Sequence, residues 1–224
     1  METDFWHERW KNGQIGFHQD ETNEYLLKHW DKLDLKQGSF IFVPMAGKSK
    51  DILWLKEQGF QVIAIELSEQ AVKAFFEENK LSFTTEQKND FIIYRSDNIE
   101  FYCGNYFDLT KDVMANVKAV FDRASLIAMP PAMRKLYKLK INEILPDSAK
   151  ILLVTMEYPQ QQMDGPPFSV LENEVNELFC DKYEIALLEE FDVLAENPRF
   201  IDKGLTKMLE KVYVMQLKAS ISKE

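Results

Sequence analysis

The strongest constraint on this chain is that strand-length apolar runs alternate with helical stretches. Ser39 to Val43 is an apolar run that stops at Pro44, and Gln61 to Leu67 is a second one with a carboxylate, Glu66, at its end. Between them, Asp51 to Gln58 reads as a helix closed by Gly59. Val117 to Phe121 ends at Asp122-Arg123, Lys135 to Leu145 is helical before Pro146, and Lys150 to Thr155 is the next buried run. Strands covered by helices on both faces lose the polar half of their pattern, so such runs predict an α/β fold with a doubly wound, mostly parallel sheet. Two stretches depart from this spacing. Phe91 to Tyr94 and Ile99 to Cys103, around Ser96-Asp97-Asn98, predict a hairpin feeding into the sheet. Tyr183 to Asp192 and Lys211 to Leu217, joined by the polar loop Glu196 to Lys203, predict an antiparallel C-terminal pair.

Ahead of the first strand, helices are expected at Phe5 to Lys11 and around Glu24 to Trp30, with Asn12-Gly13 and Gly16 between them. Aromatics beside hinge glycines suit a lid over a ligand. No linker, repeat or low-complexity tract divides the chain. Residues 1–224 therefore read as one domain, with an N-terminal helical lid (1–35), an α/β core (36–218) and a tail (219–224).

Composition removes several classes of function. At 224 residues and 46% hydrophobic, the chain can bury a sizeable core. No apolar run approaches the ~20 residues of a membrane span, and Met1-Glu2-Thr3-Asp4 lacks the basic and apolar regions of an export signal. A cytoplasmic protein without a membrane partner is expected. A net charge of −10 repels nucleic acid. Cys103 and Cys180 have no cysteine neighbours and read as reduced core residues. His7, His18 and His29 lack metal-ligand spacing, so no metal is expected. A nucleophilic Cys–His pair has no local signature, and Gly-x-Ser-x-Gly is absent.

Open parallel sheets bind ligands at the carboxyl ends of their strands. Those ends carry Pro44 to Ser49, Glu66, Gly104-Asn105-Tyr106 and Asp122-Arg123. Each alone could be a turn or a helix cap. Gly47-Lys48-Ser49 is not a phosphate loop, because the required earlier glycine is Phe42, and no Gly-x-Gly-x-x-Gly is present. Glu66, 19 residues after Gly47, remains well placed to accept hydrogen bonds from ribose hydroxyls. A nucleoside cofactor without a pyrophosphate fits that subset, and S-adenosylmethionine is the common one.

Several separated pieces, in order, resemble the thiopurine S-methyltransferase family of class I S-adenosylmethionine-dependent methyltransferases. They are Phe5-Trp6-x-x-x-Trp10-x-x-Gly13, Gly16-Phe17-His18-Gln19, Val43 to Lys48, Val62 to Ser68, Phe121-Asp122-Arg123, Gly165 to Phe168 and Glu210-Lys211-x-Tyr213. The resemblance runs from Phe5 to Leu217. It implies a Rossmann-like seven-stranded sheet, S-adenosylmethionine as cofactor with S-adenosylhomocysteine as product, and no metal. The implied reaction is methyl transfer to the sulfur of thiopurines or other aromatic or heterocyclic thiols by a monomer. Carried over residue by residue, it gives Trp10 packing near the cofactor, Met45 contacting its amino-acid portion and Glu66 holding the ribose. Asn105 and Tyr106 would flank the adenine, Arg123 would touch the cofactor and face the acceptor sulfur, and Phe17 and Arg199 would lie on the substrate side. Met45 stands where the family usually has Leu, a volume-conserving change.

Structural alternatives are a core helix face for Trp6 and Trp10, and an ion pair with Asp122 or another carboxylate for Arg123. Functional alternatives are a methyltransferase acting on halide, thiocyanate or selenium or tellurium oxyanions, or a non-catalytic nucleoside-binding protein.

Overall fold

The computed structural model describes residues 3–218. The first two residues of the expected lid and the expected tail, 219–224, lie outside them. Among the described residues, nine strands form one sheet: β1 (Phe40–Val43), β2 (Gln61–Glu66), β3 (Thr84–Lys88), β4 (Phe91–Ser96), β5 (Ile99–Cys103), β6 (Val117–Arg123), β7 (Lys150–Glu157), β8 (Tyr183–Asp192) and β9 (Leu209–Leu217). Their order is β3-β4-β5-β2-β1-β6-β7-β9-β8. The five strands from β5 to β7 run parallel, while β9 and β8 pair antiparallel at one edge. The expected seven strands are those from β5 to β8 across the sheet. Beyond them, β4 continues the predicted hairpin and β3 adds a further antiparallel strand. The sequence reading missed β3 because Thr84-Thr85-Glu86-Gln87-Lys88 is exposed throughout and carries no apolar pattern.

The longer helices are α1 (Thr3–Lys11), α2 (Glu24–His29), α3 (Asp51–Glu57) and α4 (Glu69–Glu78), followed by α7 (Pro131–Ile144) and α8 (Glu172–Phe179); α5 (Lys111–Met114), α6 (Ser125–Ala128) and α9 (Pro198–Ile201) are single turns. Local chemistry sets their starts. The Asn23 side chain accepts from the backbone N–H of Tyr25 at 3.1 Å and caps α2, and Ser68 caps α4 through Ala71. In α4 the buried residues Ala71, Val72, Phe75 and Phe76 recur at helical spacing. The β8–β9 connection, expected to be a polar loop, contains the short α9.

Alternation along the strands loads both faces of the sheet. Ile41, Val43, Val62, Ala64 and Val154 pack with α2, α3 and α4 on one face; Phe42, Ile63, Ile65 and Val120 pack with α7 and α8 on the other. Cys103 is buried, as expected, and burial pushes its thiol up to about 12. Cys180 is exposed, contrary to the core position expected for it. It follows Phe179 at the end of α8, whose buried stripe is Val175, Leu178 and Phe179, and the next position turns outward. Lys211 is also buried and faces Glu157, Glu172 and Glu190 at 3.0, 3.1 and 2.9 Å, which ties β9 to β7, β8 and α8. No helix among the described residues is long and apolar enough to cross a membrane.

Candidate active site

Strand order reverses at β1: the chain moves from β1 to β2 on one side and returns to β6 on the other. The carboxyl ends of β1 and β6 therefore leave a crevice between them. A cleft of about 740 Å³ opens there. Trp10, Phe17, Met45, Glu66, Asn105, Tyr106, Arg123 and Arg199 all contribute to its wall, so residues scattered along the chain meet at one place.

The turn after β1 is tight. Met45 has φ +46° and Gly47 φ +57°, both in the left-handed region. A Cβ at Gly47 would lie 3.3 Å from the Trp10 ring, so a side chain there would press on the indole as well as strain the backbone. Trp10 is buried and meets Phe17 edge-on, with centroids 5.6 Å apart; Trp6 does the same at 5.7 Å. The N-terminal segment thus lies against the turn through an aromatic cluster. Trp10 is both buried and part of the cleft wall, so the core and site alternatives for it coincide.

Glu66 ends β2 with its carboxylate held from two sides. The backbone N–H of Gly47 donates to Oε2 at 2.9 Å and that of Ser68 to Oε1 at 2.8 Å. Burial raises its pKa, and these two N–H donors offset part of the rise. A carboxylate offers about four acceptor positions, so two backbone bonds fix its orientation and leave capacity for a diol.

Arg123 ends β6 and is followed by Ala124 in the left-handed region, at φ +70°. A non-glycine residue there costs of order 1 kcal/mol and marks a conformation imposed by its surroundings. The guanidinium faces Asp51, with Nε 3.6 Å from Oδ2. Asp51 in turn accepts from the backbone N–H of Asn23 at 2.8 Å and from Ser49 Oγ at 2.7 Å. Of the structural alternatives for Arg123, an ion pair with Asp122 or with another carboxylate, the second is present in the contact with Asp51; Asp122 cannot take part because successive strand residues point to opposite faces. Asp122 is buried on the other side, where the Tyr137 hydroxyl donates to it at 2.5 Å, and burial lifts its pKa to about 6.

Asn105 caps the next turn by accepting from the backbone N–H of Phe107 at 3.1 Å. The Tyr106 ring is buried and stacks on Tyr137, with centroids 4.8 Å apart. Phe17 is half-buried, and the exposed Arg199 donates through its guanidinium to the carbonyl of Gly16. That bond joins the segment after α1 to the β8–β9 connection across the cleft.

Among the wall residues that were not anticipated as site residues are Asp51, Phe107 and Glu210. Glu210 lies within a motif already noted, but a strand-opening glutamate carries no sign of which face it will take. It is half-buried, and burial raises its pKa.

The donor set suits a nucleoside cofactor without a diphosphate: a strand-end carboxylate for hydroxyls, an aromatic wall, and no glycine-rich phosphate cradle. A mostly parallel sheet with antiparallel C-terminal strands and a cleft of this kind defines a class I S-adenosylmethionine-dependent methyltransferase fold. Solved structures agree. A SAM-dependent methyltransferase from Anabaena variabilis matches with a TM-score of 0.68 at 12% identity, covering 96% of this chain and 95% of its own. A Burkholderia thailandensis 1,6-didemethyltoxoflavin-N1-methyltransferase, solved with S-adenosylhomocysteine, matches with a TM-score of 0.61 at 16% identity, covering 96% and 87%. The family model of thiopurine S-methyltransferase matches residues 1–218. A thiopurine S-methyltransferase from Nitrosospira multiformis is 44% identical over 220 residues, 98% of this chain and all of the relative. The chain belongs to the thiopurine S-methyltransferase family.

Proposed function

We propose that this protein transfers the methyl group of S-adenosylmethionine to the sulfur of thiopurines or related aromatic and heterocyclic thiols. The observation that carries the reading is that Glu66 and Arg123, from opposite sides of the strand-order switch, line one cleft. Family membership and the names of the full-length relatives support it. When bound, S-adenosylmethionine supplies an already activated methyl group, so the protein needs no nucleophile of its own.

The residues then have defined tasks. Glu66 accepts hydrogen bonds from the ribose hydroxyls, and the Met45 turn receives the amino-acid portion. Trp10 packs beside the cofactor, with Asn105 and Tyr106 toward the adenine. Arg123 attracts the thiolate form of the acceptor: a fixed positive charge lowers the thiol pKa without itself titrating. Phe17 and Arg199 close the substrate side and exclude water, which strengthens the attraction between guanidinium and thiolate.

Apolar wall residues such as Val154, Met156 and Phe200 favour a flat aromatic acceptor, which covers them, over a hydrated halide or oxyanion, which does not. We further propose residues 1–224 as one cytoplasmic, monomeric domain with a small-molecule thiol as its partner; the acidic charge supports the absence of a nucleic-acid partner. Calorimetric titration with S-adenosylhomocysteine, followed by turnover assays with 6-mercaptopurine, iodide and tellurite, tests the reading. Binding with 6-mercaptopurine turnover is expected. No binding would remove every methyltransferase reading, and turnover of only the inorganic acceptors would replace the thiol.

A further inference from the structure

Arg123 is not the only charged group in the part of the cleft beyond the Gly47 turn. Across the sheet, Arg123 of β6 is level with Val154 of β7, and Val154 with Val212 of β9. Glu210 precedes Val212 by two residues and is level with Met156. Because side chains alternate, Arg123, Val154, Met156, Val212 and Glu210 all project from the same face. Arg123 and Glu210 stand two strands apart, about 10 Å sideways and a further ~7 Å along the strands. Val154 and Met156 form an apolar floor between them, and all four border the cleft. Tyr25 of α2 is close enough to Glu210 for each to bias the other's titration, which places a hydroxyl beside one side of the carboxylate and leaves acceptor capacity on the other. Arg123 attracts this carboxylate, and Glu24 and Glu196 lie near enough to oppose that attraction.

Resting on the thiol-methyltransferase reading, we infer that Glu210 is a specificity-determining residue. It receives the ring N–H of a fused heteroaromatic thiol from the edge opposite the sulfur that Arg123 faces. A cation at one end of an apolar floor and a hydrogen-bond acceptor at the other fit a planar molecule with an anionic sulfur on one edge and an N–H donor on the other. A bicyclic ring plus one polar contact at each edge spans the gap between the two groups. A simple aryl thiol fills the floor but leaves the ligand-facing side of the carboxylate without a donor, and covering an acceptor that has no partner is costly.

Steady-state kcat/KM for 6-mercaptopurine, 9-methyl-6-mercaptopurine and thiophenol tests this on the wild-type protein and on Glu210→Met and Glu210→Gln. Loss of a hydrogen bond to a charged group corresponds to roughly 10- to 100-fold. The wild type is expected to prefer 6-mercaptopurine to its 9-methyl derivative by that factor. Glu210→Met should lower the ratio of 6-mercaptopurine to thiophenol by a similar factor, and Glu210→Gln, which keeps an acceptor oxygen, by less. Calorimetry with S-adenosylhomocysteine checks that each variant keeps its cofactor half. An unchanged ratio in Glu210→Met overturns the inference. Should that variant not fold, equal wild-type rates with the two purines overturn it instead. A wild type that binds S-adenosylhomocysteine but turns over none of the thiols removes the underlying reading as well.

Discussion

Glu66 concentrates much of the proposed binding chemistry in one carboxylate, already aimed by Gly47 and Ser68. Glu66→Ala should weaken S-adenosylhomocysteine binding by about 1–3 kcal/mol, read by calorimetry, since two hydroxyls lose a buried acceptor. Its melting temperature should not fall in proportion, because burial opposes the charged form in the folded state. Arg123 calls for a different test. Arg123→Lys keeps the charge but loses the planar fork, so it should retain most cofactor affinity and lose turnover. If the guanidinium acts on the thiolate, single-turnover rates of the variant with 6-mercaptopurine should approach those of the wild type as pH rises and the acceptor ionises unaided. A rate ratio that stays constant across that range would assign Arg123 to structure, through its contact with Asp51.

At the level of elements, the segment from α1 to Gln19 is attached to the cleft by aromatic edges and by Arg199, which bonds the carbonyl of Gly16. Hydrogen exchange across residues 5–19 should slow when S-adenosylhomocysteine binds. Arg199→Ala should speed exchange at residues 12–19 without ligand and raise KM for the thiol by up to about fivefold, the range of an exposed charged contact. Equal exchange in wild type and variant would show that the aromatic cluster alone holds the segment. Much of this architecture is legible in the sequence, because buried strands and amphipathic helices carry their periods in short windows. Phe40 to Val43 and Phe75-Phe76 declare themselves locally. Contacts between distant segments do not: nothing near Asp51 indicates that it will meet Arg123 and Asn23, and nothing near β3 indicates that an exposed polar strand will extend the sheet. Glu66, Asn105, Tyr106 and Arg123 could be located in the sequence because they end or follow strands, a rule of topology, and Trp10, Phe17 and Arg199 only through the family resemblance; Glu210 opens its strand and escaped the rule.

For the molecule as a whole, the buried carboxylates Glu66 and Asp122 and the half-buried Glu210 have raised pKa values with burial as the first cause. Such groups favour the folded state when protonated and lose that contribution as pH rises through the folded pKa. For Asp122, between its ordinary 3.8 and about 6, the loss is about 3 kcal/mol. Denaturant unfolding of wild type and Asp122→Asn from pH 4 to 7 should therefore show the variant gaining stability relative to the wild type as pH rises, with the difference levelling above pH 6. A pH-independent difference would mean that the Tyr137 hydrogen bond offsets the desolvation.

The bond between Arg199 and Gly16 spans 183 positions of sequence. During synthesis, the N-terminal aromatics and the Glu66 turn emerge long before the segment that covers them. The strand carrying Glu210 pairs with β7 only after nearly the whole chain is available. A growing chain therefore presents an open, half-built cleft, and late, long-range closure is the slow kind of contact to form. Ligand binding that draws on Glu210 requires β9 to have been made and paired, and a chain stopped before β9 would carry the Glu66 and Arg123 sides of the pocket without Glu210.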